Sequence, residues 1–537
     1  MKKINFIYFL LGFTVLQSCT SDMDVVSNDP TVLSPDVLYS TAAGYKQGLA
    51  GVYGNLSLTG TDGAGSSFLE GIDAGTSQFG RCLWYLQDLT TDEAIWSYEN
   101  DEGVAELQRN TWTASNPILL GFYSRTMAEV AIANEYLRQS TPEKLAARGI
   151  TDAADIANIA TYRKEVMVLR AYAYYNLMDL FGKAPFITEN DPLNFAGPQY
   201  DRAQLFTYIE EQLTTVMPDL KPARSNEYGR LDKAMAQMIL AKMYLNAEVY
   251  IGESRYADCM TQCSSIIAGG YTLKPNYLDN FKSDNNTSEE MIFTLQADEL
   301  VTQNYGATTV ICNGQVGSLE GNGNALFGVG GWGGALRLRK QFVQKFDGSN
   351  FQYDSRKTAS GGGPRSIDIS DIANKNQGYI LSKFSNISST GMQGQGTGFV
   401  NTDFPLFRLG DVFLMYAEAQ MRKDGATNGS STTNASSQSM DYLHALTERA
   451  NGGNFANVDA NQITLDYLLD ERARELHWES HRRQDLIRFG KYTGGIYNWA
   501  WKGNGQNGIS ISNNLKLFPI PTQSIAANRN LTQNPGY

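Results

Sequence analysis

The sequence predicts a mainly α-helical protein: a tetratricopeptide-like scaffold of helical hairpins, with long irregular loops and a few short strands. Three observations carry this. Apolar residues recur at spacings of three and four, as in Val166, Leu169, Ala173, Leu177 and Leu180, which places them on one face of a helix. Consecutive helical segments resemble hairpins of roughly 34 residues that stack side by side, although the irregular spacing makes the repeat degenerate. Two segments interrupt the pattern, one near 51–116 with a cluster of exposed-type aromatics and one near 304–404 rich in Gly, Asn and Ser; loops of that length in a compact protein are functional or disordered.

The first 18 residues read as a secretory signal. Lys2 and Lys3 supply a positive start and Ile4 to Val15 an apolar stretch, too short for a permanent span of ~20 residues. The stretch ends in Leu16-Gln17-Ser18-Cys19, the pattern in which a cysteine thiol is acylated, typically with palmitate, and cleavage falls just before it. The alternative is a plain signal peptide with an incidental cysteine. Two or more acyl chains at Cys19 would anchor the protein stably without a spanning helix. Residues 19–40 then read as anchor and tether, and 41–537 as a single domain whose loops are inserted near 51–116 and 304–404.

Within that domain the periodicity predicts helices over about 119–138, 202–217, 231–249, 256–268, 409–421, 440–449 and 463–474. The helix carrying Val166 to Leu180 stops at Gly182, with Pro185 just beyond. Many helices set Ala beside Tyr or Leu, as in Ala171-Tyr172-Ala173-Tyr174-Tyr175. Small residues let helices approach closely, and tyrosines fill the gaps.

Composition narrows the function. Net charge is −12, and becomes −14 once Lys2 and Lys3 leave with the signal, which disfavours nucleic acid and anionic membrane surfaces. Only 19% of residues are charged, while Gly (51) and Tyr (29) are plentiful; that surface suits neutral polar ligands. Beyond Cys19 the chain has Cys82, Cys259, Cys263 and Cys312. The Cys259/Cys263 spacing fits half a zinc site but no histidine lies near. Buried free thiols are the favoured reading, with a disulfide left open by the export route.

Several residues invite chemistry. Trp96 and Tyr98 are two apart, so in an extended loop both point the same way. Trp332 sits in Gly330-Gly331-Trp332-Gly333-Gly334, and Tyr305 in the same glycine-rich region; glycines leave an aromatic face uncovered, as stacking on a sugar ring requires. Core packing is the alternative for each. Asp88, Asp92 and Glu93 would suit a glycoside hydrolase, or simply cap and hydrogen-bond locally. His477 and His481 have metal-binding spacing, but their neighbours Glu475, Glu479, Arg482 and Arg483 favour a solvated or salt-bridged face. The polar run from Ser283 to Thr287 offers oxygen ligands, so Asp284 and Asn286 with Glu290 form a candidate structural Ca²⁺ site; no cofactor is otherwise required.

Seven segments, in order, carry a family resemblance: YKQGLAGVY (45–53), DLTTDE (88–93), LRAYAYYNLMDLFGKAPF (169–186), YGRLDKAMAQMILAKMYLNAE (228–248), FPLFRLGDVFLMYAEA (404–419), ERARELHWESHRRQDLIRFGK (471–491) and LFPIPTQSIAANRNLTQNPGY (517–537). With them the chain resembles the SusD/RagB family of outer-membrane glycan-binding lipoproteins over nearly its full length. DEAIWSY (92–98) and NYGATTVICNG (304–314) make it most similar to the family's starch-binding branch.

The resemblance implies a non-catalytic, lipid-anchored receptor on the outer face of the outer membrane. It would capture starch or α-glucan oligosaccharides for a SusC-like TonB-dependent transporter. By the same resemblance Trp96, Tyr98, Tyr305 and Trp332 would form an aromatic arc matching the curve of the glucan. Asp73, Arg81 and either Asn100 or Asp101 would bind hydroxyls. Tyr98 departs from the branch, which carries a second tryptophan there. A receptor for another glycan or a peptide, a hydrolase, and a transporter lid with no ligand remain the alternatives.

Overall fold

The structure is a computed structural model, and residues 34–67, 74–317, 319–333, 336–360, 365–396, 398–454 and 458–537 are described. Cys19, the signal segment and Asp73 lie outside the described residues.

The scaffold is built on the helix Ala153–Phe181. Asp152 caps its start, accepting from the backbone N–H groups of Ala154 and Asp155 at 2.9 and 3.0 Å. Gly182 ends it at φ 73°, donating its N–H to the carbonyl of Leu177; a Cβ there would come within 2.9 Å of Leu517. From Val168 onward this helix is buried on every side, where a single apolar stripe is predicted. The reason is that it packs against Ala42–Ser57, Pro117–Gln139 and Arg202–Val216 at once, so its polar residues must also find partners inside. Arg170 does so with Asn134 at 2.5 Å, and Asp179 with the Tyr250 hydroxyl at 2.7 Å.

Lys233–Leu245, Tyr256–Ile267, Leu409–Lys423 and Ser437–Asn451 then pack each on the next, and Leu465–Leu476 joins Leu409–Lys423. All fall where the periodicity predicts helices. No helix among the described residues is long and apolar enough to cross a membrane.

Two boundaries differ from expectation. The 51–116 segment is not a loop at its start, because Ala42–Ser57 runs straight through Gly51 and buries Tyr45, Gly48, Leu49, Val52 and Leu56. The tether also ends early. Pro35–Leu38 is helical, and Tyr39 is buried, its ring 5.0 Å from Tyr45 and 6.0 Å from Tyr136. Tyr39 fits because Gly48 lacks a side chain; a Cβ there would lie 2.7 Å from the ring.

Strands are short and come in antiparallel pairs. Met291–Leu295 pairs with Phe404–Arg408, and Ala94–Trp96 with Leu336–Leu338. The second pair brings the two predicted loop insertions together. Cys82, Cys259, Cys263 and Cys312 are all buried, and burial pushes the Cys82 thiol up to about 12.

The charged closing segment is an interior, not a solvated face. Arg408 reaches Glu475, Glu290 and Glu479 at 2.6–2.8 Å, Arg356 reaches Glu471 at 2.6 Å, and Lys383 reaches Glu479 at 2.6 Å, all buried. Between Leu465–Leu476 and Arg482–Arg488 the chain turns through Trp478 and Ser480, both at positive φ (61° and 65°), an uncommon conformation for such residues. The DLTTDE segment holds that turn. Glu93 accepts from the Trp478 N–H at 3.0 Å, Asp88 from the Ser480 N–H at 2.9 Å, and Asp92 takes the Arg482 guanidinium at 2.7 and 2.8 Å.

Candidate functional site

The pairing of Trp96 with Leu336 and Ile95 with Arg337 sets residues 96–101 beside the glycine-rich turn at 330–333. Tyr98 donates its hydroxyl to the Trp332 carbonyl. The Trp332 N–H donates to the Asn313 carbonyl at 2.9 Å, and the Asn313 amide donates to the Gly398 carbonyl at 2.9 Å. Asn313 therefore clips two loops: one carries Trp332, the other Phe399. The Phe399 ring lies 5.2 Å from Tyr305, whose N–H is held by Thr59 at 2.9 Å. Tyr98, Tyr305, Trp332 and Phe399 are all half-buried. Gly331, at φ 81°, is required for the turn, since a Cβ there would lie 2.3 Å from Val316.

Arg337 builds the other edge. Its buried guanidinium donates to the carbonyls of Ile372, Asn374 and Gln377 at 2.5–2.8 Å. That fixes the loop carrying Lys375, whose amine donates to the Tyr98 hydroxyl at 2.9 Å and sits 4.2 Å from its ring centre.

Trp96 corrects the expectation of an open stacking face. It is 1% exposed, its ring 6.2 Å from those of both Tyr85 and Tyr98 and seated on Gly314, where a Cβ would be 3.2 Å away. The strand pairing turns its side chain inward, so Trp96 supports Tyr98 from below. Its indole N–H donates to Asp101 at 2.9 Å. Asn100 is exposed, and of the two candidates Asp101 is the one tied to the cluster. Arg81 is half-buried and donates to the Tyr85 hydroxyl at 2.8 Å. Burial works to lower its pKa, but Tyr85, followed by Cys82 and Asp101, outweighs that and raises it, so the guanidinium stays charged as a donor beside the aromatic shelf. The structure thus gathers Arg81, Trp96, Tyr98, Asp101 and Trp332, with Tyr305 across Asn313.

Phe399 and Lys375 were not legible in the sequence. Neither sits in a pattern that marks it, and both reach the shelf only through contacts made by residues distant along the chain.

The two carboxylates of the calcium expectation make other bonds. Asp284 accepts from the Ser389 N–H at 2.8 Å and from its hydroxyl. Glu290 is buried against Arg408 and Arg449 at 2.8 and 2.9 Å, and Asn286 is exposed. Among the described residues no cluster of three or more His, Cys, Asp or Glu could hold a metal. His477 and His481 are likewise buried rather than solvated, and the turn at Trp478 and Ser480 removes them from a common helix face; His481 Nδ1 lies 3.0 Å from the Lys242 amine. Asp92 is held below its usual range because Arg482 overcomes its burial. Burial and Asp92 push Glu93 up to about 8. All three acids of the hydrolase alternative are interior and bonded to the 478–482 turn.

The site is thus a shelf of half-buried aromatic rings on a helical scaffold, with the three acids of the hydrolase alternative engaged in the interior. The model of the SusD family matches residues 239–537. The starch-binding protein SusD of Bacteroides thetaiotaomicron is 30% identical, over 97% of this chain and 96% of that protein. SusD-like protein P25 of Formosa agariphila is 25% identical over the whole of both chains. Among solved structures, surface glycan-binding protein A of Bacteroides thetaiotaomicron in complex with laminarihexaose superposes with a TM-score of 0.68 at 22% identity, covering 92% of this chain and 99% of that one. The chain belongs to the SusD family, whose members are carbohydrate-binding proteins and not enzymes.

Proposed function

We propose that this protein is a lipid-anchored, cell-surface receptor of the outer membrane that captures starch-type α-glucan oligosaccharides and passes them to a SusC-like TonB-dependent transporter. The observation that carries the reading is the shelf on which Tyr98 and Trp332 meet Tyr305 and Phe399 across Asn313. The similarity to a protein named for starch binding supports the choice of ligand. Arg81 and Asp101 would address sugar hydroxyls, and the rings the C–H faces. Cys19, in its lipobox, would supply the anchor.

Affinity electrophoresis in amylopectin tests this. Wild type should be retarded and Trp332→Ala should run free, a loss of about 2 kcal/mol, roughly thirtyfold in affinity. Equal retardation of both would exclude the shelf. Retardation in a β-glucan but not in amylopectin would keep the shelf and replace the ligand.

A further inference from the structure

Three cavities of about 340, 350 and 570 Å³ open around Tyr228, and its side chain lines all of them. Gln296 and Thr302 line two of the three, as do Glu227, Gly229, Arg230 and Asn286, so the hollows adjoin one another. Each has the volume of a small-molecule site, and side by side they line a groove around Tyr228.

The walls suit a neutral polyol. Tyr228 is 49% exposed, yet its hydroxyl is tied to Asp403 and lies 3.1 Å from Thr294, which holds the ring in place among the three hollows. Tyr53, half-buried, lines the 350 Å³ hollow with a second ring, its hydroxyl anchored on Glu165 at 2.6 Å. The exposed Gln296 side chain packs where Gly229, at φ 80°, leaves room; a Cβ there would overlap its amide. The basic groups of these walls are paired: Lys46 with Glu227 at 3.3 Å, Arg230 with Glu165, and Arg224 with Glu289 at 3.4 Å. An anionic ligand would have to break those pairs, whereas hydroxyls need not.

The groove also joins the shelf. Asn304 donates to the Gln296 carbonyl at 3.4 Å, and Tyr305 is bonded to Thr59, one residue past Leu58 in the groove wall. Tyr305 therefore stands between the Trp332 shelf and the Tyr228 groove.

We infer that the Tyr228 groove is a second saccharide subsite, which takes the continuing end of an oligosaccharide too long for the shelf. This rests on the shelf being the primary glycan site. Stacking on two tyrosines with an amide between them would contribute only when a chain is long enough to pass Tyr305.

Calorimetric titration with maltotriose and maltoheptaose decides it. Tyr228→Ala should weaken maltoheptaose three- to tenfold and leave maltotriose unchanged, while Tyr228→Phe, which keeps the ring, should stay within twofold of wild type. Trp332→Ala should weaken both ligands. Unchanged maltoheptaose affinity in Tyr228→Ala overturns the groove; if Trp332→Ala still fails to bind, the shelf stands. If wild type binds neither maltooligosaccharide, the α-glucan reading fails, and laminaritriose and laminarihexaose take their place with the same criterion for the groove. A wild type that binds neither series overturns both. Superimposable thermal melts check that the Tyr228 variants are folded.

Discussion

The aromatic shelf and the charged junction of residues 88–93 with 475–488 are built from residue types that both suggest chemistry, and they use them in opposite ways. In the junction each carboxylate closes a bond inside the chain: Asp92 to Arg482, Glu475 to Arg408, Glu479 to Lys383. On the shelf the polar groups position rings and leave them half open, as Tyr98 and Asn313 do for Trp332. The difference teaches that the arrangement of partners, more than residue type, separates a structural lock from a binding surface. Interior acids and bases saturate each other because an unpaired buried charge is costly. An aromatic face loses little by remaining partly wet.

The widest separation between the two regions should come from Arg482→Ala. It removes the bidentate partner of buried Asp92, leaving it the Tyr497 hydroxyl and Lys345 at 3.8 Å, and should destabilise the fold by about 3 kcal/mol in denaturant titration. Trp332→Ala, by contrast, should remove glycan binding while shifting stability by no more than about 1 kcal/mol; a variant that lost both equally would erase the distinction. A smaller effect is expected from Tyr98→Phe. Losing the hydroxyl bond to the Trp332 carbonyl should loosen the turn and weaken binding by about 0.5–1.5 kcal/mol, read by calorimetry with the fold unchanged.

The most specific effect is on pH dependence. Glu129 is buried beside Asn55 at 2.8 Å, and burial pushes its carboxyl up to about 8 in the folded protein. The folded state therefore holds a proton that the unfolded chain releases in the ordinary carboxylate range. Its stabilising contribution is complete below that range and is lost as pH rises through about 8. Thermal melts should show Glu129→Gln gaining on wild type as the pH rises across that window. Parallel curves would mean that Glu129 titrates normally.

Much of the scaffold was readable from periodicity. The helix that ends at Gly182 and those through 202–217, 256–268 and 409–421 fall where apolar spacing and stop signals put them. Trp96 was misread, because the alternation that aligns it with Tyr98 says nothing about which way a strand partner will turn the pair. Its partner Leu336 lies 240 residues away. The closing segment was misread for the same kind of reason: its charges look solvated until Glu290, Arg356, Lys383 and Arg408 arrive from elsewhere in the chain.

The sequence by itself determined the helical scaffold and a family resemblance that the comparisons bear out at the level of the family. Those properties reside in local spacing and short motifs. Only the tertiary structure decided that Trp96 is a support and Trp332 a half-open ring, that Phe399 and Lys375 join the shelf, and that Asp92 and Glu93 are locks. Each depends on which distant side chain satisfies a polar group or covers a ring, and burial, which sets the cost of leaving either unmet, is a property of the folded chain alone.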